Sequence, residues 1–240
     1  MKKLLLLSVA IGLMHLNGFA QFRLGPEIGF NVSNLNQTSG SLNTSSGTSI
    51  SSITSLLSSY TSNYGLRVGV NAEYSFSESF ALQSGLYYSM LGASTNAQSL
   101  ALTGLNISLG AGSIRLNYLH IPLYAVYKVD AGPGKFVIGA GPFISYALSG
   151  TLNTGAIKLD TLGSFPAAST ALTFGSDSSS IKALDYGIAM MAGYEMANGL
   201  FFKAGYNYSL QNISNANGTT EKNSCFFVSA AWYFSNKRKN

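Results

Sequence analysis

Charge is scarce in this chain of 240 residues: Asp, Glu, Lys and Arg make up 10% of it, whereas the surface of a soluble domain is about 25–35% charged. Mean hydropathy is positive, at +0.20. A water-facing shell built from the polar residues available is therefore not the expected arrangement. Cysteine is nearly missing. Cys225 stands alone, so no internal disulfide can form, and no cysteine follows the N-terminal apolar stretch to carry a lipoprotein anchor. Histidine is limited to His15 and His120. A metal site needs several convergent His, Cys, Asp or Glu ligands, and no such cluster is visible, so neither a metal nor another cofactor is predicted. Enzymatic activity is not predicted either. A serine nucleophile needs a base beside it, only His120 could supply the usual imidazole, and no nucleophile motif accompanies it. No phosphate-binding glycine loop occurs, because the glycines recur at alternate positions within apolar segments.

Long apolar runs are missing too. The stretch 4–16 is too short for a spanning helix, which takes roughly 20 residues. Lys2 and Lys3 precede it, and Gly18-Phe19-Ala20 puts small residues at the positions a signal peptidase reads. Residues 1–20 are accordingly predicted to be a signal peptide cleaved before Gln21. The formal charge of +5 misleads, since Lys2 and Lys3 leave with that segment and Lys237, Arg238 and Lys239 crowd the other end. Residues 235–240 read as a basic periplasmic tail. The body, 21–234, is about neutral and offers no basic face for nucleic acid.

What is present is a metre of period two. Alternating apolar and polar residues define eight predicted strands at 22–35, 64–76, 80–95, 114–130, 135–150, 181–197, 200–214 and 223–234. The connections alternate between long and short. The short ones are Ser77-Glu78-Ser79, Ala131-Gly132-Pro133-Gly134 and Asn198-Gly199; Asn-Gly is a strong hairpin signal because both residues accept positive φ. The long ones cover 36–63, 96–113 and 151–180, with a shorter loop around Asn217-Gly218. The first is dominated by Ser and Thr and cannot support a core of its own. Short turns at one rim and long loops at the other are the pattern of an up-and-down membrane barrel. The predicted fold is therefore all-β: an eight-stranded antiparallel transmembrane β-barrel, monomeric, in the outer membrane, with both termini in the periplasm and the long loops outside the cell.

Alternation does not say which face meets which solvent; residue type does. In the second strand Tyr64, Leu66, Val68, Val70, Ala72, Tyr74 and Phe76 oppose Gly65, Arg67, Gly69, Asn71, Glu73 and Ser75. The second set suits a narrow interior packed by small residues, which sends the apolar set outward. On that phase aromatics fall at the short-turn end of every strand: Phe22, Tyr74, Phe80, Tyr127, Phe136, Tyr194, Phe202, and Trp232 with Phe234. A second group, including Phe30, Tyr64, Tyr88, Tyr146, Tyr186, Tyr208 and Phe226, lies toward the long loops. Two such belts are what membrane interfaces select. Two prolines, Pro122 and Pro142, fall roughly opposite each other where a ladder wants N–H donors, which predicts a shared bulge.

Isolated charges of both signs fall on or beside the inner face: Arg23, Glu27, Arg67, Glu73, Lys128, Lys135, Asp185, Glu195 and Lys203. Buried charge is tolerable only when paired. A structural ladder of ion pairs plugging the lumen is predicted, and eight strands leave room for side chains but not for an open pore.

Five stretches carry a family likeness: 23–35, 69–92 with Leu86-Tyr87-Tyr88, 118–128 with His120-Ile121-Pro122, Gly139-Ala140-Gly141-Pro142, and Gly205-Tyr206-Asn207-Tyr208. In this order and spacing they resemble the PorT-type outer-membrane β-barrel family of Bacteroidetes, across nearly all of the mature chain outside the long loops. The resemblance implies a small barrel with a structural or interaction role, as an accessory of protein secretion or envelope assembly. Its partners would be outer-membrane lipid and envelope or secretion proteins. A narrow channel, a lipid-acting enzyme using His120, and a soluble carrier with its apolar face turned inward stand as the alternatives.

Overall fold

The computed structural model describes residues 21–39, 60–102, 105–159, 163–177, 180–216 and 218–234. The predicted signal peptide, most of the first long loop and the basic tail lie outside the described residues.

Every regular element among these residues is a strand. In chain order they are β1 (Gln21–Ser39), β2 (Tyr60–Ser75), β3 (Phe80–Thr95), β4 (Gln98–Leu102), β5 (Leu105–Leu109), β6 (Gly112–Ala131), β7 (Gly134–Thr154), β8 (Ile157–Leu159), β9 (Gly163–Phe165), β10 (Ala168–Ala171), β11 (Leu184–Met196), β12 (Leu200–Ser209) and β13 (Thr219–Trp232). Eight of them close a ring in the order β1-β2-β3-β6-β7-β11-β12-β13, with β13 pairing back onto β1, all antiparallel. Closure abolishes the free edges that an eight-stranded sheet would otherwise expose.

The ring is staggered. Register partners lead from Phe22 through Tyr74, Leu82, Ala125, Ala140, Met190, Tyr206 and Phe226 back to β1 at Val32, ten residues past the start (22 to 32). With strands about 4.8 Å apart and a rise of about 3.3 Å per residue, that stagger tilts the strands by about 40°. The resulting lumen is one that side chains can fill.

The short turns depart from expectation in one place. Gly132 has φ +61° and precedes Pro133, so the two-residue loop has the positive-then-negative sequence of a II′ turn. At Asn198-Gly199 only the glycine has positive φ, +85°. The loop there has three residues: Gly199 N–H donates to Met196 O at 3.0 Å, closing a turn that ends in the left-handed glycine.

The prolines do not produce the shared bulge. Pro122 pairs with Phe143, pairing resumes at Ala125 and Ala140 in the same register, and the ladder merely pauses between. Each strand lacks one donor at the same level, so no extra residue is needed to absorb the loss. Ser84 Oγ donates to Pro122 O at 2.7 Å. The register shift between β6 and β7 lies higher, where Asn117 pairs Ser149 but Tyr118 pairs Ala147, leaving Leu148 over.

The second and third long loops, expected as plain connections, hold short strands of their own. β4, β5, β8 and β9 form a separate four-stranded antiparallel sheet, and β10 pairs with the end of β7. The alternation of Leu100 and Leu102, then Leu105, Ile107 and Leu109, was the available signal. The predicted strand 200–214 stops at Ser209, and the residues after it turn inward, placing Ile213 in a fully buried position.

Candidate functional site

The apolar face points outward throughout the ring. Ile188 is 49% exposed and Met190 53%, while the intervening Ala189 is buried. At the short-turn end Phe22, Phe80, Phe136, Phe202, Trp232 and Phe234 are all exposed. Tyr74 and Tyr194 are half-covered: Tyr74 meets Phe76 edge-on at 5.0 Å, and Tyr194 meets Phe136 at 5.3 Å while donating to Ala131 O at 2.8 Å. A soluble carrier with its apolar face inward is overturned by this orientation.

The interior sorts its charges into separate groups rather than one continuous ladder. Nearest the short turns, Arg23 bonds Glu73 and Glu195, and Lys128 Nζ lies 2.6 Å from Glu73 and 3.0 Å from Glu195. Two cations and two carboxylates thus form a ring in which each acid sees both bases. Arg23 also lies over the Tyr233 ring at 4.3 Å.

At mid-height one acid serves two bases. Glu27 lies 2.8 Å from Lys203 Nζ and 3.5 Å from Arg67 Nε, and it accepts from Tyr87 Oη at 2.8 Å. Arg67 is 0% exposed, and its guanidinium sits between the rings of Tyr87 at 3.8 Å and Phe227 at 4.6 Å. Cation–π contact of this kind strengthens on desolvation.

Asp185 stands apart, near the long-loop end. Its partners are neutral: Ser209 Oγ and Asn223 Nδ2 each donate to it at 2.8 Å. Lys135 does not enter the lumen; it pairs with Asp130 at 3.2 Å beside the Gly132 turn, both at least partly exposed. His120 is buried with Nδ1 2.8 Å from Ser145 Oγ. That pair has no signature along the chain, because it depends on the register of β6 against β7.

Aromatic rings fill the space between these groups, in an interior expected to be packed mostly by small residues and paired charges. Buried Tyr87, Phe227 and Phe143 each lie directly opposite an inward glycine, namely Gly69, Gly205 and Gly187. A Cβ at Gly205 would overlap the Phe227 ring. Gly205→Val is therefore expected to cost about 1–3 kcal/mol through overpacking, read as a lower urea midpoint for the barrel folded in lipid. Nearer the long loops, Leu35, Leu91, Leu116, Tyr118, Ile213 and Cys225 form a second apolar cluster. The lumen is thus packed at both ends and at its centre.

Residues 19–215 match the family described as outer membrane protein beta-barrel domain. The chain belongs to that family. Its outward aliphatic band is therefore the lipid-facing surface of an outer-membrane barrel, and the exposed aromatics sit on that surface. No curated protein matches the chain. Among solved structures, the barrel is similar to Ail, the attachment invasion locus protein of Yersinia pestis, at 12% identity over 89% of this chain and 99% of that one, with a TM-score of 0.35. It is also similar to Neisserial surface protein A, at 14% identity over 90% of this chain and 99% of that one, with a TM-score of 0.39.

Proposed function

We propose that this outer-membrane barrel is a sealed, monomeric, non-catalytic scaffold whose working surface is its long-loop end. The observation that carries this reading is the mid-height Glu27, Arg67 and Lys203 cluster, whose side chains are all 0% exposed. Such packing leaves a solute nothing to follow. In the orientation that long and short connections favour, the short turns and both termini lie in the periplasm, residues 1–20 having directed export, and the small second sheet lies outside the cell. The PorT-type resemblance makes an accessory of protein secretion or envelope assembly the specific form of the role. The seven ion-paired charges act as internal braces, Asp185 being held by neutral Ser209 and Asn223 instead, and the exposed aromatics act as interface anchors.

Two measurements test it. Photo-crosslinkers placed in β8 and β9 of intact cells should capture a defined envelope or secretion protein; capture of lipid alone would sink the accessory role. Planar bilayers carrying the purified barrel should stay silent. Steady conductance that changes on Arg67→Ala or Glu73→Ala would replace the scaffold with the narrow-channel alternative.

A further inference from the structure

On the outer wall near the long loops, the apolar surface of β6, β7 and β11 ends in a polar patch. Arg115 stands between Ile114 and Leu116, which both pack into the inner cluster, so its own side chain is turned outward, where it is exposed. Two residues nearer the membrane, Asn117 Nδ2 donates to Ser149 Oγ at 2.9 Å on the same outer face. The bulge at this level leaves Leu148 over and brings both Leu148 and Ser149 to the surface. Ala147 N–H donates to Ala183 O at 2.8 Å, which carries the β7–β11 ladder past Leu184 and sets Lys182 beside Leu148. Ile181 and Ala183 pack inward, leaving Lys182 on the outer phase.

We propose that this patch binds a phosphate group of an outer-leaflet glycolipid. What it offers outward is donors. Among the described residues no carboxylate lies within ion-pair distance of Arg115 or Lys182. Ser149 accepts from Asn117 and keeps its own hydroxyl hydrogen to give, while Asn117 Oδ1 is covered. Lys182 Nζ donates to Asn212 O at 3.0 Å, one of its three N–H bonds. A guanidinium fork matches phosphate with two parallel hydrogen bonds, and an ammonium adds a point charge. Height selects lipid over protein. Leu119, four residues from Arg115, pairs with Tyr88 and Tyr146 of the aromatic belt. At a rise of about 3.3 Å per residue and a tilt of about 40°, Arg115 lies about 10 Å beyond that belt. That is the headgroup layer, since a hydrocarbon core of about 30 Å grows to about 40–45 Å with its headgroups. Directly beneath, Tyr146, Leu148 and Leu184 are exposed for acyl chains to lie against. The opposite rim carries the other sign, with Glu78 and Asp130 exposed against Lys135. Assigning the outer leaflet, where an outer membrane holds its phosphorylated glycolipid, rests on the orientation proposed above.

The full-length mature barrel in detergent would be titrated under native mass spectrometry with bisphosphorylated lipid A, dephosphorylated lipid A, phosphatidylglycerol and inorganic phosphate. Bisphosphorylated lipid A should bind about tenfold or more tightly than either its dephosphorylated form or phosphatidylglycerol. Arg115→Gln should weaken that binding about tenfold, and Ser149→Ala by less. Lys135→Gln, which removes a cation from the other rim, should leave it unchanged. Retained heat-modifiable migration on gels would show that each variant is folded. Equal binding of the two lipid A forms, or full binding by Arg115→Gln, would overturn the proposal. So would an equal loss in Lys135→Gln, which would mark a general attraction of charge, and so would phosphatidylglycerol or inorganic phosphate binding as tightly as bisphosphorylated lipid A. Because binding is read on purified protein, its failure leaves the scaffold reading and its orientation untouched.

Discussion

Replacing Glu27 by Gln is expected to destabilise the barrel by about 3–5 kcal/mol, the cost of leaving a buried charge without its partner. The reason lies in stoichiometry: among the described residues Glu27 is the one carboxylate within ion-pair distance of both Lys203 and Arg67, and all three side chains are 0% exposed. Glu73→Gln should cost much less, because Glu195 still contacts both Arg23 and Lys128. Trp232, the single tryptophan, lies on the outer surface, so its fluorescence reports transfer from lipid to water during urea unfolding from vesicles. Replacing the whole cluster, with Glu27→Leu, Arg67→Met and Lys203→Met together, should recover much of the loss, since well-packed apolar substitutes for buried ion pairs are often neutral or better. Equal midpoints for Glu27→Gln and Glu73→Gln would show that the two clusters are not energetically distinct.

The second large effect concerns the outer face. Met190 lies midway between Tyr186 and Tyr194 on β11, all three on the outward phase, and is 53% exposed. Met190→Arg should cost about 2–4 kcal/mol, as a cation does at the bilayer midplane, while Tyr194→Arg at the belt should cost about 0–1 kcal/mol from its charge. In water an exposed Met-to-Arg change would fall within about 0.5 kcal/mol. A depth-independent result, with both variants equally mild, would mean that this surface does not sit in hydrocarbon.

The alternation in β3 was legible to the residue, Phe80 to Thr95, because a hairpin strand with one apolar face writes its period directly into the chain. The inward placement of Glu27, Arg67, Glu73 and Lys203 was legible for the same reason, being only a matter of parity. Who meets whom was not. Glu27 reaches Lys203, and Arg23 reaches Glu195, across the lumen from strands that are not neighbours in the chain. Those meetings depend on how far the ring is staggered at closure. Lys135 failed the parity argument because it sits beside a turn, where the strand ends and the rim opens to water.

The interior aromatics show a middle case. Their positions were readable on the inner phase, but that they face glycines, and so fit, follows from register. The second sheet was the least readable part, since strands of three to five residues carry too few alternations to stand out from the long loops that contain them.

Period, connection length and scarcity of charge by themselves determined an eight-stranded barrel with its apolar face turned to lipid, because each is a local property of the chain. The stagger of ten residues, the grouping of the buried charges, the inward turn of Ile213 and the outward patch around Arg115 and Ser149 were decided only by tertiary structure. Each of these arises from contacts between segments far apart in sequence, whose geometry exists only once β13 has closed on β1.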